Sequence, residues 1–188
     1  SLVVRCHNAG AVQDTLDLAA SHGLGWVVLG CGTRLIPPNR GLRVPVLSLT
    51  GELGRWEVEL DGMVAGAGAN LAQVCRAATK NRLSGLETIR ESGNSVGGLV
   101  RALADRVVHG DGIIHRIEVC RPGGEGGTWR EPNDIGGLKR LLGRRGVTRV
   151  RFRLRPVRPA PWPPHPISVP ARGPLRTVRP VFLDAPDA

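Results

Sequence analysis

Proline is distributed unevenly along this chain of 188 residues. Ten of the 15 prolines lie in residues 156–188. A proline inside a helix or a central strand removes a backbone hydrogen bond, so regular structure cannot continue through such a segment. We therefore predict that residues 1–155 form one packed domain. Residues 156–188 are predicted to form an extended tail, rich in proline and arginine, with polyproline-like backbone.

The body of the chain combines two hydrophobic periods, which predicts both strands and helices. Short apolar runs bounded by glycine are typical of strands, and apolar repeats of three and four are typical of helices. The predicted strands span residues 2–6, 26–29, 44–49, 55–60, 62–67, 113–120 and 147–154, and the predicted helices span residues 11–22, 71–80, 99–108 and 135–142. Residues 123–127 are predicted to form a flexible glycine turn. The predicted fold class is α+β.

Positive charge is concentrated near the C-terminal end. The chain has 26 Lys and Arg against 16 Asp and Glu, and residues 139–183 contain twelve basic residues and no acidic one. The rest of the chain therefore has a net charge of −2. This segregation favours a surface for nucleic acid or an acidic partner, with a solvated tail as the alternative. The candidate nucleic-acid-binding residues are Lys139, Arg140, Arg144, Arg145, Arg149, Arg151, Arg153, Arg155, Arg158, Arg172, Arg176 and Arg179.

The last predicted strand alternates strictly between apolar and basic residues. Val150, Phe152 and Leu154 share one face, whereas the other face consists of arginines. Arginines spaced about 7 Å apart suit the phosphates of a nucleic-acid strand. Pairing of the same arginines with acidic neighbours on a solvated sheet is the alternative, and the pattern does not favour either one.

Cysteine and histidine spacing indicates no metal site. The four cysteines are isolated in sequence, and the five histidines form no paired ligand motif. We expect the thiols to be reduced and the compartment to be intracellular. The sequence does not distinguish the mitochondrial matrix from the bacterial cytoplasm, since a removed targeting peptide leaves no trace. No apolar run reaches roughly 18 residues, so we expect no membrane partner.

Three segments, in order, resemble the flavin-binding part of the UDP-N-acetylenolpyruvoylglucosamine reductase (MurB) family. Val27-Val-Leu-Gly-Cys-Gly-Thr-Arg-Leu35 is similar to the family's V-L-G-G-G-S-N-L loop. Val64-Ala-Gly-Ala-Gly-Ala-Asn-Leu71 is similar to its A-G-A-G-V-x-L turn. Leu83-Ser-Gly-Leu-Glu87, followed by Ser95-Val-Gly-Gly98, resembles G-L-S-G-L-E and T-V-G-G. The resemblance implies a MurB-like, PCMH-type FAD-binding fold of two subdomains.

The resemblance also implies a site for the diphosphate of FAD. Glycines in these loops allow main-chain N–H groups to approach an anion closely, although tight turns alone would also explain them. The candidate cofactor-binding residues are Gly30, Cys31, Gly32, Thr33, Arg34, Gly66, Gly68, Ser95, Val96, Gly97 and Gly98.

Departures from the family motifs argue against retained catalysis. Glu91-Ser-Gly-Asn94 replaces the family's G-I-P-G turn, the chain has no tyrosine, and Pro180 stands at the position of the proton-donating serine. The sequence also lacks the substrate-covering third domain that the family has. These differences favour loss of FAD and of activity, and they suggest a degenerate, truncated family member.

The sequence therefore supports three functional hypotheses. The main hypothesis is a non-catalytic structural subunit of a larger RNA-containing assembly, such as a mitochondrial ribosome, bound through the basic C-terminal region. The alternative is a truncated FAD-dependent oxidoreductase of the UDP-N-acetylmuramate dehydrogenase type. A flavin-binding regulator with a protein partner is the third.

Overall fold

The computed structural model describes residues 2–32, 35–60, 62–89, 94–105, 112–130, 135–143, 145–157 and 181–182. The strands are β1 Val3–Cys6, β2 Val27–Leu29, β3 Leu35–Ile36, β4 Val46–Leu49, β5 Trp56–Glu59, β6 Gly62–Gly66, β7 Leu83–Ser84, β8 Ile114–Arg121, β9 Gly124–Arg130, β10 Gly146–Arg153, β11 Arg155–Pro156 and β12 Val181–Phe182. The helices are α1 Ala9–Ser21, α2 Leu71–Lys80, α3 Val96–Ala104 and α4 Ile135–Leu142, with 3₁₀ turns at Gly51–Gly54 and Glu87–Ile89.

A small parallel sheet forms the first subdomain. Its strand order is β1-β4-β2, and β4 pairs in parallel with both neighbours. Helix α1 connects the first two strands of the chain and begins at Asn8, whose side chain accepts a hydrogen bond from the Ala11 N–H at 2.8 Å. Its buried face consists of Val12, Leu16 and Ala19, which lie three or four residues apart as a packed helix requires.

A five-stranded antiparallel sheet forms the second subdomain, in the order β5-β6-β10-β8-β9. One face of this sheet packs on the helices α2, α3 and α4, and the apolar residues buried between them form one continuous cluster. Met63, Leu71, Leu99, Ile117 and Phe152 lie at its centre and are almost fully buried. Burial of each such side chain contributes about 1.5–3 kcal/mol, so this core is the main source of stability.

The central strand β10 confirms the predicted alternation. Val150 and Phe152 are buried in the core, whereas Arg149, Arg151 and Arg153 lie on the opposite face. This face is the side of the sheet away from α2, α3 and α4. The mixed α+β architecture with two subdomains is therefore the one that the sequence predicted.

Helix α1 joins the two subdomains by packing beside the hairpin of β8 and β9. Gln13 Nε2 donates a hydrogen bond to the Arg121 carbonyl oxygen at 2.7 Å. The Gly123 N–H donates to Asp17 Oδ1, also at 2.7 Å. Below these contacts Leu16 and Leu47 pack with Cys120 in a second apolar cluster. Burial raises the pKa of the Cys120 thiol, and the nearby carboxylate of Asp17 adds to this effect.

One prediction about local structure needs correction. Residues 123–127 are not a flexible turn, because the hairpin turns at Pro122 and Gly123, and Gly124–Arg130 is already strand β9. Within the predicted tail, Val181–Phe182 pairs in parallel with Leu35–Ile36. Residues 158–180 and 183–188 lie outside the described residues. The predicted domain boundary at residue 155 stays a prediction, and β11 spans it.

Asp17 generates a prediction about acid stability. Hydrogen bonds from the Gln13 amide, first, and from the Gly123 N–H lower the pKa of Asp17 below its ordinary value of 3.8. A carboxylate with a lowered pKa stabilises the fold above its unfolded-state pKa, and the contribution is lost as the pH falls through the folded-state value. Asp17→Asn should therefore lower the thermal midpoint at pH 7, and the difference should shrink below about pH 4.

The measurement is thermal unfolding by circular dichroism between pH 3 and pH 7. Asp14→Asn is the matched control, because Asp14 is an exposed carboxylate on the same helix. Equal effects of the two substitutions at pH 7 would contradict the role assigned to Asp17.

Candidate functional site

The strand β2 ends in a glycine loop at the carboxyl edge of the parallel sheet, where ligands commonly bind in open α/β sheets. Gly30, Cys31 and Gly32 are exposed, and Gly32 has a positive φ of 71°. Among the described residues, no hydrogen-bond partner is found for the three main-chain N–H groups of this first glycine loop, residues 30–32. Such a run of unpaired N–H groups is suited to an anion.

The second glycine segment has a different role. The Gly66 N–H donates to the Arg55 carbonyl and the Gly68 N–H donates to the Leu53 carbonyl, both at 2.8 Å. A β-carbon on residue 66 would overlap the backbone of Leu53, and one on residue 68 would overlap the Leu49 carbonyl oxygen. These glycines permit close backbone packing between the two subdomains, and their N–H groups are used within the protein. Their contact with a ligand stays a prediction.

The third segment begins helix α3. Ser95 Oγ accepts a hydrogen bond from the Gly98 N–H at 3.2 Å, which makes Ser95 the N-cap. The Val96 N–H donates to the Ala69 carbonyl at 2.9 Å, and the Gly97 N–H donates to the Ala67 carbonyl at 2.8 Å. The first N–H groups of this helix are thus used within the protein. Contact of residues 95–98 with a diphosphate stays a prediction, and the N–H groups of Val96, Gly97 and Gly98 already have partners within the protein.

The first and third segments meet directly. A β-carbon on residue 30 would overlap Ser95 Oγ, so glycine is required where the loop passes the serine. Ser95 is 3% exposed, and its hydroxyl, which accepts one hydrogen bond, still has a proton to donate. The structure therefore brings the Ser95 hydroxyl against Gly30, at the start of the first glycine loop.

The remaining predicted cofactor-binding residues contribute less to this arrangement. Val96 is fully buried in the core, and Cys31 is an exposed free thiol in the loop. Thr33 and Arg34 lie outside the described residues, as does the acidic position Glu91. Among the described residues the candidate site thus consists of residues 30–32 and Ser95.

Within the described residues, one arginine of the predicted arginine face is paired with a carboxylate, and another contacts a histidine. Arg151 forms an ion pair with Glu59 on β5, and Arg116 lies 3.5 Å from Glu118. Arg153 Nη2 lies 2.8 Å from Nδ1 of His115. The sequence left open the pairing of these arginines with acidic neighbours, and the alternating segment Trp56-Glu-Val-Glu59 supplies one such neighbour. A groove of about 260 Å³ on this face is lined by Glu52, Arg55, Trp56, Glu57, Glu59, Val64, Gly66, Arg116, Glu118, Arg149 and Arg151.

The other candidate nucleic-acid-binding residues are dispersed. Lys139 and Arg140 are exposed on helix α4, and Arg155 is exposed on β11. Arg145 precedes β10 and is half-buried. The positions 144, 158, 172, 176 and 179 lie outside the described residues. The described basic residues thus occupy at least two separate elements, and one of those on β10, Arg151, is paired with a carboxylate.

Within the described ranges, no three His, Cys, Asp or Glu side chains come together as a metal site would require. None of the helices in the described part of the chain combines the length and hydropathy needed to cross a membrane.

Comparison with known proteins identifies the family. The model of the FAD binding domain family matches residues 1–124 of this chain. The chain belongs to the FAD-binding domain family. UDP-N-acetylenolpyruvoylglucosamine reductase of Bacillus velezensis is 32% identical over 90 residues, which is 48% of this chain and 30% of the relative. The reductase of Clostridium botulinum strain 657 is 34% identical over 89 residues, or 47% and 29%.

Solved structures show the same fold. MurB from Thermus caldophilus superposes with a TM-score of 0.64 at 23% identity, covering 83% of this chain and 56% of that one. Cholesterol oxidase from Brevibacterium sterolicum superposes with a TM-score of 0.62 at 19% identity, covering 82% and 34%. The matched segment spans less than a third of the curated relatives named above. The resemblance to MurB that the motifs predicted is confirmed.

The second glycine segment generates a stability prediction. Gly66→Ala should destabilise the domain by about 2 kcal/mol or more, because the new methyl group would meet backbone that cannot rotate away. Gly54→Ala is the control, since nothing lies within 4 Å of a β-carbon there, and its effect should stay within about 0.5 kcal/mol. Urea unfolding measures both. A Gly66→Ala variant as stable as Gly54→Ala would disprove the packing role.

Proposed function

We propose that this chain is the FAD-binding part of an oxidoreductase of the UDP-N-acetylmuramate dehydrogenase type. In this proposal the first glycine loop and Ser95 hold the diphosphate of FAD. The observation that carries the proposal is the exposed loop 30–32, whose main-chain N–H groups have no partner among the described residues and whose Gly30 lies against the Ser95 hydroxyl. Membership of the FAD-binding domain family supports the identity of the ligand.

The described residues fit a diphosphate in their chemistry. Three main-chain N–H groups and one hydroxyl are hydrogen-bond donors, and no carboxylate is found among residues 30–32 and 95. Gly30 leaves room beside Ser95 that any larger residue would fill. Glycine at position 32 allows the left-handed backbone with which consecutive N–H groups converge on one anion.

Contacts with neighbouring residues hold one of these donors, the Ser95 hydroxyl, in place. When bound, FAD supplies a flavin that carries hydride between two substrates. The residues described here would bind and orient the cofactor through its diphosphate. Ser95 is fixed by its capping bond to Gly98 and by the pairing of Asn70 with Ser95. A preorganised set of donors does not have to be ordered on binding, which favours affinity.

The RNA hypothesis finds no support in the comparisons, which fit the alternative better. The ion pair between Arg151 and Glu59 also reduces the basic character of the sheet face on which that hypothesis relied. A flavin oxidoreductase domain therefore replaces the RNA-associated subunit as the proposed function.

The proposal predicts a selective effect of substitution in the first glycine loop. Gly32→Ala places a β-carbon at a φ of 71° and should cost about 1–2 kcal/mol of backbone strain, which distorts the loop. Gly23→Ala is a matched control, because Gly23 has a φ of 64° and open space around it but lies outside the site. Gly32→Ala should weaken FAD binding roughly tenfold, whereas Gly23→Ala should leave it unchanged.

The measurement is a titration of the purified chain with FAD, followed by flavin fluorescence and by absorbance near 450 nm. Thermal midpoints of both variants show whether their stabilities are comparable. Absence of FAD binding by the unaltered chain would refute the proposal, and so would equal affinities of the two variants.

A further inference from the structure

The strand that leaves the first glycine loop is held differently from the strand that leads into it. Strand β2 leads into the loop and is paired with β4 in the three-stranded sheet. Strand β3 begins at Leu35, three residues after Gly32, and belongs to a separate two-stranded sheet. Its strand partner within the described residues is β12, with Val181 opposite Leu35 and Phe182 opposite Ile36.

This pairing makes the conformation of the loop depend on a segment about 145 residues further along the chain. A loop fixed at one end retains conformational entropy that a ligand must remove on binding. A second fixed end removes part of that entropy before the ligand arrives. The pairing of β3 with β12 therefore preorganises the N–H groups of the first glycine loop.

We propose that Val181–Phe182 is a positioning segment for the first glycine loop, which increases affinity for the diphosphate of FAD without touching it. The ligand in this proposal rests on the proposed function, whereas the coupling between β12 and the loop does not. The tail then has a role within the domain, in addition to any partner that its basic residues bind.

The coupling should act in both directions. A two-stranded pair of two residues each is marginal by itself, so β12 should exchange between docked and undocked states. A ligand that binds more tightly when β12 is docked must also favour docking, because coupling free energies are reciprocal. FAD should therefore protect both β3 and β12 against exchange of their amide hydrogens.

The experiment compares three full-length chains: the unaltered chain, V181G/F182G and V181I/F182L. Two glycines lower strand propensity and weaken the pairing with β3, whereas isoleucine and leucine keep apolar side chains compatible with a strand. Hydrogen–deuterium exchange of residues 30–36 is measured without ligand. FAD affinity and the thermal midpoint are measured on the same samples.

In V181G/F182G the amide hydrogens of residues 30–36 should exchange faster, and FAD should bind roughly tenfold more weakly, with an unchanged thermal midpoint. V181I/F182L should keep the exchange rate and the FAD affinity of the unaltered chain. Unchanged exchange in V181G/F182G would overturn the positioning role, as would faster exchange with unchanged FAD affinity. If the unaltered chain binds no FAD, the proposed function fails, and the exchange comparison alone decides whether β12 positions the loop.

Discussion

The close backbone contact between residues 66–68 and the segment 49–53 determines how the two subdomains fit together. Gly66 and Gly68 allow this contact because a side chain at either position would overlap the backbone of Leu53 or Leu49. The turn that follows β6 then accepts hydrogen bonds from the start of α3, which fixes Ser95. Ser95 in turn lies against Gly30. The candidate site is therefore built by packing between subdomains before any ligand is present.

Sequence predicted the elements that have a strong period and missed those that have none. Helix α2 matches its predicted span of 71–80, because its apolar spacing and the Asn70 cap agree. Strands of two residues, such as β3 and β12, are too short to show a hydrophobic periodicity. Their pairing also joins residues that are far apart in the chain. The prediction of a turn at residues 124–127 was wrong because strand β9 forms through pairing with β8, which overrides the low strand propensity of their three glycines.

The three glycine segments show what a motif can and cannot predict about a site. Their order along the chain predicted that they would converge, and Gly30 does meet Ser95. Which N–H groups remain available could not be predicted, since glycine has the same donor wherever it occurs. The Gly68 and Gly97 donors bond to carbonyls of distant residues, and only tertiary contacts distinguish them from the loop donors.

Charge counting has the same limit. A count of charges along the chain located the basic excess correctly. The carboxylates of Glu57 and Glu59, however, belong to strand β5, some 90 residues before Arg149. Strand β5 pairs with β6, which pairs with β10, and this places both carboxylates on the same face of the sheet as the arginines. A dense row of arginines on a sheet is therefore weak evidence for a polyanion until its neighbouring strands are known. In contrast, the described part of the candidate diphosphate site has no charged side chain. Its affinity for an anion would come from oriented backbone dipoles, which the glycine loop provides and residue charges do not reveal.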